Sequence, residues 1–231
     1  MTVCNQFQIG RNTKVYFASI TPTCTEPASA NLETQGISGA NATSITLTAA
    51  IATAGFFAPA GDYLEIEDPA TGVEYLVKLT APLETGDSTI SVAALAKAIP
   101  DGCTISYPFI LKRRTSVNIA DNGTMVNSYA FEDGGYEVAA NTTREVPIDL
   151  GGDYSPGSAA FKNMRNRARD GGLGYLIVED PATATYSKGE IYKGVVVIGN
   201  FPKNISSTEI TKSDITCKFV GGYTIVDPVL A

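Results

Sequence analysis

Apolar and polar residues alternate along most of this chain in short runs, and clusters of Gly, Pro, Asn and Asp separate the runs. A period of two puts successive side chains on opposite faces of a strand, so the pattern predicts many short strands joined by turns. The first strand is expected at 13–20, and the polar, Pro- and Gly-containing stretch 21–43 reads as a linker or long loop. Further on, Ser116–Ala120 alternates, and Tyr129–Val138 reads as a hairpin around Asp133-Gly134-Gly135. Arg144–Leu150 is another strand, in which Pro147 argues for an edge or a strand end. Leu173–Val178 leads into Glu179-Asp180-Pro181, with a partner strand expected near Tyr186. The unbroken apolar run Gly194–Gly199 predicts a central strand. Asn200–Asp214 should start as a loop and end as an alternating strand, and Ile215–Gly221 should be the last long strand.

The segment 44–108 contains an internal repeat. Ser44-Ile45-Thr46-Leu47-Thr48-Ala49-Ala50-Ile51 is matched by Thr89-Ile90-Ser91-Val92-Ala93-Ala94-Leu95. Each copy leads to a Pro-x-Gly turn, Pro59-Ala60-Gly61 or Pro100-Asp101-Gly102, and then to a strand at Tyr63–Ile66 or Thr104–Tyr107. Glu74–Thr80 supplies a strand between them. Two such units pack to close a core that neither closes alone, so 36–108 is expected to be a small inserted β-barrel-like domain. Residues 1–35 and 109–231 should form the second core.

One departure from the period of two predicts a helix near 158–170. Ser158 can cap it, Gly171-Gly172 can end it, and Phe161, Met164 and Ala168 share the face that should pack on the core. The fold class is therefore mainly β, a β-barrel or sandwich with one short α-helix.

Composition then narrows the chemistry. The 231 residues are 44% hydrophobic and 18% charged, with a net charge of -7. This acidity disfavours binding to a phosphate backbone, and it would suit a surface that nucleic acid slides past. Histidine is absent, which removes His bases, His-activated nucleophiles and His metal ligands. Cys4, Cys24, Cys103 and Cys217 are widely spaced and form no CxxC pair, so they read as isolated thiols. Glu65, Glu67, Asp68, Glu132 and Asp133 fall at strand ends and turns without the spacing of a calcium loop. Gly171-Gly172-Leu173-Gly174 precedes a strand, the reverse of a dinucleotide fingerprint. No catalytic residue, metal ligand or cofactor is expected. The cations Lys112, Arg113, Arg114, Lys162, Arg165, Arg167 and Arg169 read as a solvated face or as salt-bridge partners for an acidic neighbour. The N-terminus has no signal-peptide pattern, and no apolar run is long enough to span a membrane.

The order strand pair, helix opening Gly157-Ser158-Ala159-Ala160-Phe161, strand Gly194–Gly199, loop and final strand into Phe219-Val220-Gly221 resembles the major tail tube proteins of long-tailed bacteriophages. That family is related in fold to type VI secretion tube subunits. The resemblance covers 13–20 and 109–231. It implies a tail-tube-like fold whose copies form hexameric rings, stacked into a tube that conducts DNA without binding it specifically. It also implies assembly in the host cytoplasm and localisation to the virion. The partners would be other copies, a tail terminator, a baseplate or tip, a tape measure and, in a contractile tail, a sheath. Candidate lumen or assembly residues are Glu145, Asp149, Glu209, Thr211 and Ser213. The alternative reading is a capsid decoration or adhesin-like virion protein.

Overall fold

The computed structural model describes residues 13–20, 25–120, 122–129, 137–203 and 211–230. In chain order the first elements are β1 (Lys14–Ser19), β2 (Ala30–Glu33), β3 (Ser44–Thr46), β4 (Phe57–Ala58) and β5 (Tyr63–Asp68). Next come β6 (Val73–Lys78), β7 (Leu83–Glu84), β8 (Thr89–Ser91), β9 (Thr104–Tyr107), β10 (Phe109–Ile110) and β11 (Arg114–Ile119). β12 (Asn122–Tyr129) and β13 (Glu137–Glu145) pair with each other, and β14 (Pro147–Gly152) precedes helix α1 (Ala159–Asp170). β15 (Leu173–Glu179), β16 (Tyr186–Lys188), β17 (Ile191–Asn200), β18 (Ile215–Val226) and β19 (Val229–Leu230) complete the chain.

The largest sheet has seven strands in the order β10-β1-β15-β17-β18-β14-β11. The apolar run Gly194–Gly199 lies in β17, at the centre, as its lack of polar alternation predicts. Pro147 opens β14 and so lacks an amide where the ladder begins, which lets an interior strand carry it. Gly174 is small because Phe17 crosses it: a Cβ there would lie 2.3 Å from the Phe17 ring. Tyr129 pairs with Glu137, so strands flank the expected hairpin, while its Asp-Gly-Gly turn lies outside the described residues.

The mainly β class with one helix holds among the described residues, but several local expectations need correction. The presumed loop 21–43 contains β2. Its alternation is only four residues long, with Ala30 and Leu32 buried, and its polar flanks hid it. The strand at Tyr186 pairs with β19, whereas β15 finds its partner in β17. Residues 211–214 hold only an isolated bridge, Asp153 to Lys212, in place of a strand. Glu67-Asp68-Pro69-Ala70-Thr71 and Glu179-Asp180-Pro181-Ala182-Thr183 share their sequence but not their local contacts. Asp68 accepts from the Ala70 amide (2.9 Å) and Thr71 hydroxyl (2.7 Å) in a tight hairpin, whereas the Asp180 carboxylate accepts from Thr13.

Residues 30–107 form a separate four-stranded sheet, β2-β9-β5-β6, plus two small ladders. The two repeat copies lie antiparallel against each other, with Ser44 opposite Ser91, Ile45 opposite Ile90 and Thr46 opposite Thr89. Their hydrogen bonds match across a local twofold relation. Gln35 donates to the Thr46 carbonyl (2.8 Å) as Thr80 donates to that of Ser91 (3.0 Å). Gly61 donates to Leu79 (3.0 Å) as Gly102 donates to Thr34 (3.1 Å). The backbone repeats as well. Gly61 and Gly102 have φ of 90° and 72°, and Asn41 and Gly86 have φ of 68° and 97°. Glycine accepts this left-handed region without a Cβ penalty, and asparagine tolerates it better than most residues.

Candidate assembly surfaces

Helix α1 ties the two sheets together. Phe161 and Met164 are fully buried, and Phe161 meets the Tyr154 ring edge-on at 5.2 Å and that of Phe201 at 4.8 Å. Arg114 lies over its face at 5.9 Å. Ser158 occupies the N-cap position, but its hydroxyl donates to the Ile110 carbonyl (3.4 Å) and makes no cap bond. The free amide of Ala159 instead donates to the Glu65 carboxylate of β5 (3.1 Å), where the helix dipole favours negative charge. Gly171 ends the helix in the left-handed region.

Three further contacts dock the small sheet. Asn163 is buried and behaves like one residue of an added strand. Its side chain accepts from the Tyr63 amide (2.7 Å) and donates to the Tyr63 carbonyl (2.9 Å). Arg167 donates to Asp62 (2.7 Å) and to Ser19 of β1 (3.1 Å). Burial raises the Asp62 carboxyl above the usual aspartate range, against the opposing pull of Ser19 and Arg167. Lys112 bridges Glu65 (2.6 Å) and Glu74. Partial burial alone would lower its ammonium, but the hydrogen bonds to these two carboxylates outweigh it and the pKa is raised.

Five of the seven basic residues singled out in the sequence, Lys112, Arg114, Lys162, Arg165 and Arg167, therefore have side-chain partners within the chain. Arg114 donates to the carbonyls of Leu150 (3.2 Å), Ser213 (2.8 Å) and Asp153, and burial lowers its pKa. Lys162 sits 4.5 Å from the centre of the Tyr63 ring. Arg165 donates to the Tyr154 hydroxyl (3.3 Å). Spacing gave no sign of these contacts, because each partner lies far along the chain.

The candidate assembly residues do not form one cluster. Glu145 and Asp149 are exposed and alternate with buried Val146, Ile148 and Leu150, so both point away from the core. Glu145 pairs with Lys218 of β18 at 2.5 Å. Asp149 lies opposite Thr216 on one side and Asn118 on the other. Thr211 is half-buried, and its carbonyl accepts from the Tyr154 amide (2.8 Å). Ser213 is fully buried, donating its hydroxyl to the Pro202 carbonyl (2.7 Å) and its amide to that of Gly152 (2.9 Å). In this subunit it presents no group to solvent. Glu209 lies outside the described residues, as do Cys4 and Cys24.

Cys103 and Cys217 are buried. Burial, with Asp149 adding to it, pushes the Cys217 thiol up to about 12. Burial also raises Cys103. Among the described residues, no group of three or more His, Cys, Asp or Glu side chains could hold a metal ion. No helix among them is long and apolar enough to cross a membrane.

The sequence expectations missed one surface. β18 runs on past Gly221, and its end carries exposed Val220, Ile225 and Val226, followed by Val229 and Leu230 of β19. The apolar content of Tyr223–Leu230 was a readable signal for it.

No family model matches this sequence, and no curated protein matches it. Among solved structures, the chain is similar to one in the "Virion of native gene transfer agent (GTA) particle". The two are 15% identical with a TM-score of 0.42, and the match covers 50% of this chain and 86% of the other.

Proposed function

We propose that this chain is a structural virion protein without enzymatic activity. Within that class we assign it as a tail tube subunit whose copies form stacked hexameric rings around a DNA conduit. The observation that carries the reading is the unfinished state of the seven-stranded sheet. Among the described residues it ends at β11 on one side and at the two-residue β10 on the other. Exposed edges pair with other chains unless something covers them, and closed symmetric assembly removes them. The exposed aliphatic residues at the ends of β18 and β19 fit the same account, because such patches mark interaction surfaces. The sequence resemblance to tail tube proteins supplies the kind of assembly.

In this reading Glu145 and Asp149 face the lumen or a neighbouring subunit. Thr211 and Glu209 stay in the proposed set, and Ser213 acts by holding the Pro202 turn in place. An acidic lumen lets DNA pass by repelling its phosphates. The duplicated unit, proposed as an inserted domain over 36–108, projects from the tube or covers a neighbour.

The test is negative-stain microscopy of the purified chain over a range of salt and concentration. Hollow tubes or hexameric rings are expected. Monomer at every condition overturns the assignment, and trimers without tubes would move it to capsid decoration.

A further inference from the structure

The duplicated module contains its own control. Each position in one copy has a counterpart in the other, so a feature found on one side only is not demanded by the fold. The outer strands β2 and β6 are counterparts, since the Thr34–Leu47 bridge recurs as Leu79–Val92, 45 positions later for both residues. At that offset Ala30, Asn31 and Leu32 of β2 correspond to Tyr75, Leu76 and Val77 of β6. The small and polar pair Ala30-Asn31 is thus replaced by two large, half-buried apolar residues on one edge alone.

A groove runs beside that edge. The Ala93 amide donates to the Lys78 carbonyl (2.8 Å), and the chain then turns away from β6. The space left measures about 360 Å³ and is lined by Tyr63, Tyr75, Leu76, Ala94, Ala96 and Ile99. The Lys78 carbonyl points to this outer side. Strand alternation therefore aims the amides and carbonyls of Leu76 and Glu74 the same way, and among the described residues the sheet has no strand beyond β6. The rim charges are uneven. Glu74 is held by Lys112, while Lys78 and Lys97 are exposed. Two lysines at an apolar groove stand out in a chain of net charge -7.

We propose that this groove binds an extended acidic and apolar peptide segment of a partner protein, added as a further strand along β6. The free peptide groups of Glu74 and Leu76 pair with its backbone. Every second side chain is apolar and sits between Tyr75 and the small walls at Ala94 and Ala96. The intervening carboxylates reach Lys78 and Lys97. Backbone pairing supplies affinity in this mode, and the alternate-residue pockets supply selectivity. The proposal is independent of tube assembly and stands or falls separately.

The experiment uses the full chain and fluorescence anisotropy with three labelled probes. These are a peptide of alternating valine and glutamate, its valine and lysine analogue, and a valine and glutamate peptide with prolines that remove backbone donors. The first should bind, and the other two at least about tenfold more weakly, a difference of about 1.4 kcal/mol. The K78E/K97E double variant should reverse the preference between glutamate and lysine probes. Ala94→Trp, at an exposed position, should fill the groove and abolish binding while thermal melting stays unchanged. Equal binding of all three probes, a preference untouched by K78E/K97E, or no binding at millimolar peptide would each overturn the proposal.

Discussion

The duplicated module and the seven-stranded sheet solve the same problem in opposite ways. Both are assemblies of short, half-buried strands with edges to protect. The module answers with its second copy. Ile45 faces Ile90, both fully buried, and each half supplies the hydrogen bonds that the other lacks. The large sheet, among the described residues, has no internal duplicate and stops at β10 and β11. A unit whose core closes by itself, even with the outer edge of β6 open, is suited to display, and one without an internal duplicate is suited to assembly. Helix α1 joins them, and the contacts that dock it to the module are polar: Asn163 to Tyr63, Arg167 to Asp62 and Glu65 to the helix N-terminus.

The largest expected effect lies at this junction. Phe161 is fully buried against Tyr154 and Phe201, so Phe161→Ala leaves a cavity that several elements share. Loss of ~3–5 kcal/mol in a denaturant melt is expected. A change near zero would mean that this face of the helix does not pack on the large-sheet side.

The module's symmetry is tested next. Ile45→Ala and Ile90→Ala remove equivalent side chains from one core, and each should cost ~2–5 kcal/mol. The two costs should match within about 0.5 kcal/mol. Because Ile45 and Ile90 face each other, the double variant should depart from the sum of the singles. Unequal single effects would show that one copy alone organises the module.

Strand content was legible in the sequence wherever alternation was long or apolar. The centre of the large sheet, the β3 and β8 repeat and the helix could all be placed from Gly194–Gly199, Ile45, Ile90, Phe161 and Met164. β2 was missed, because four alternating residues inside a polar stretch fall below what periodicity resolves. Over 211–214 the strand expected before Ile215 is absent for a different reason: Ser213 and Lys212 form isolated contacts with Gly152 and Asp153, and the backbone there does not extend into a ladder. Of the candidate site, the outward direction of Glu145 and Asp149 followed from their spacing on one strand, and the burial of Ser213 did not. Partners such as Asp62 for Arg167, 105 positions apart, are set by tertiary packing and leave no local trace.

The smallest expected effect concerns that same ion pair and how much it holds the module in place. Asp62 is almost fully buried, and burial raises its pKa in the folded chain more than Arg167 and Ser19 lower it. The unfolded chain has an ordinary aspartate, near 3.9. The folded state therefore binds this proton more tightly, so protonated Asp62 favours folding below that value. The advantage is lost as pH rises through the higher folded pKa. Asp62→Asn keeps the shape and can still accept from Arg167, but it removes the cost of burying the charge. Relative to the unsubstituted chain, the urea midpoint of Asp62→Asn should be more favourable at pH 7 than at pH 3.5. The reverse order would mean that the pairing of Asp62 with Arg167 outweighs desolvation. The clasp between module and sheet would then be a net electrostatic attraction, and the junction would loosen in acid.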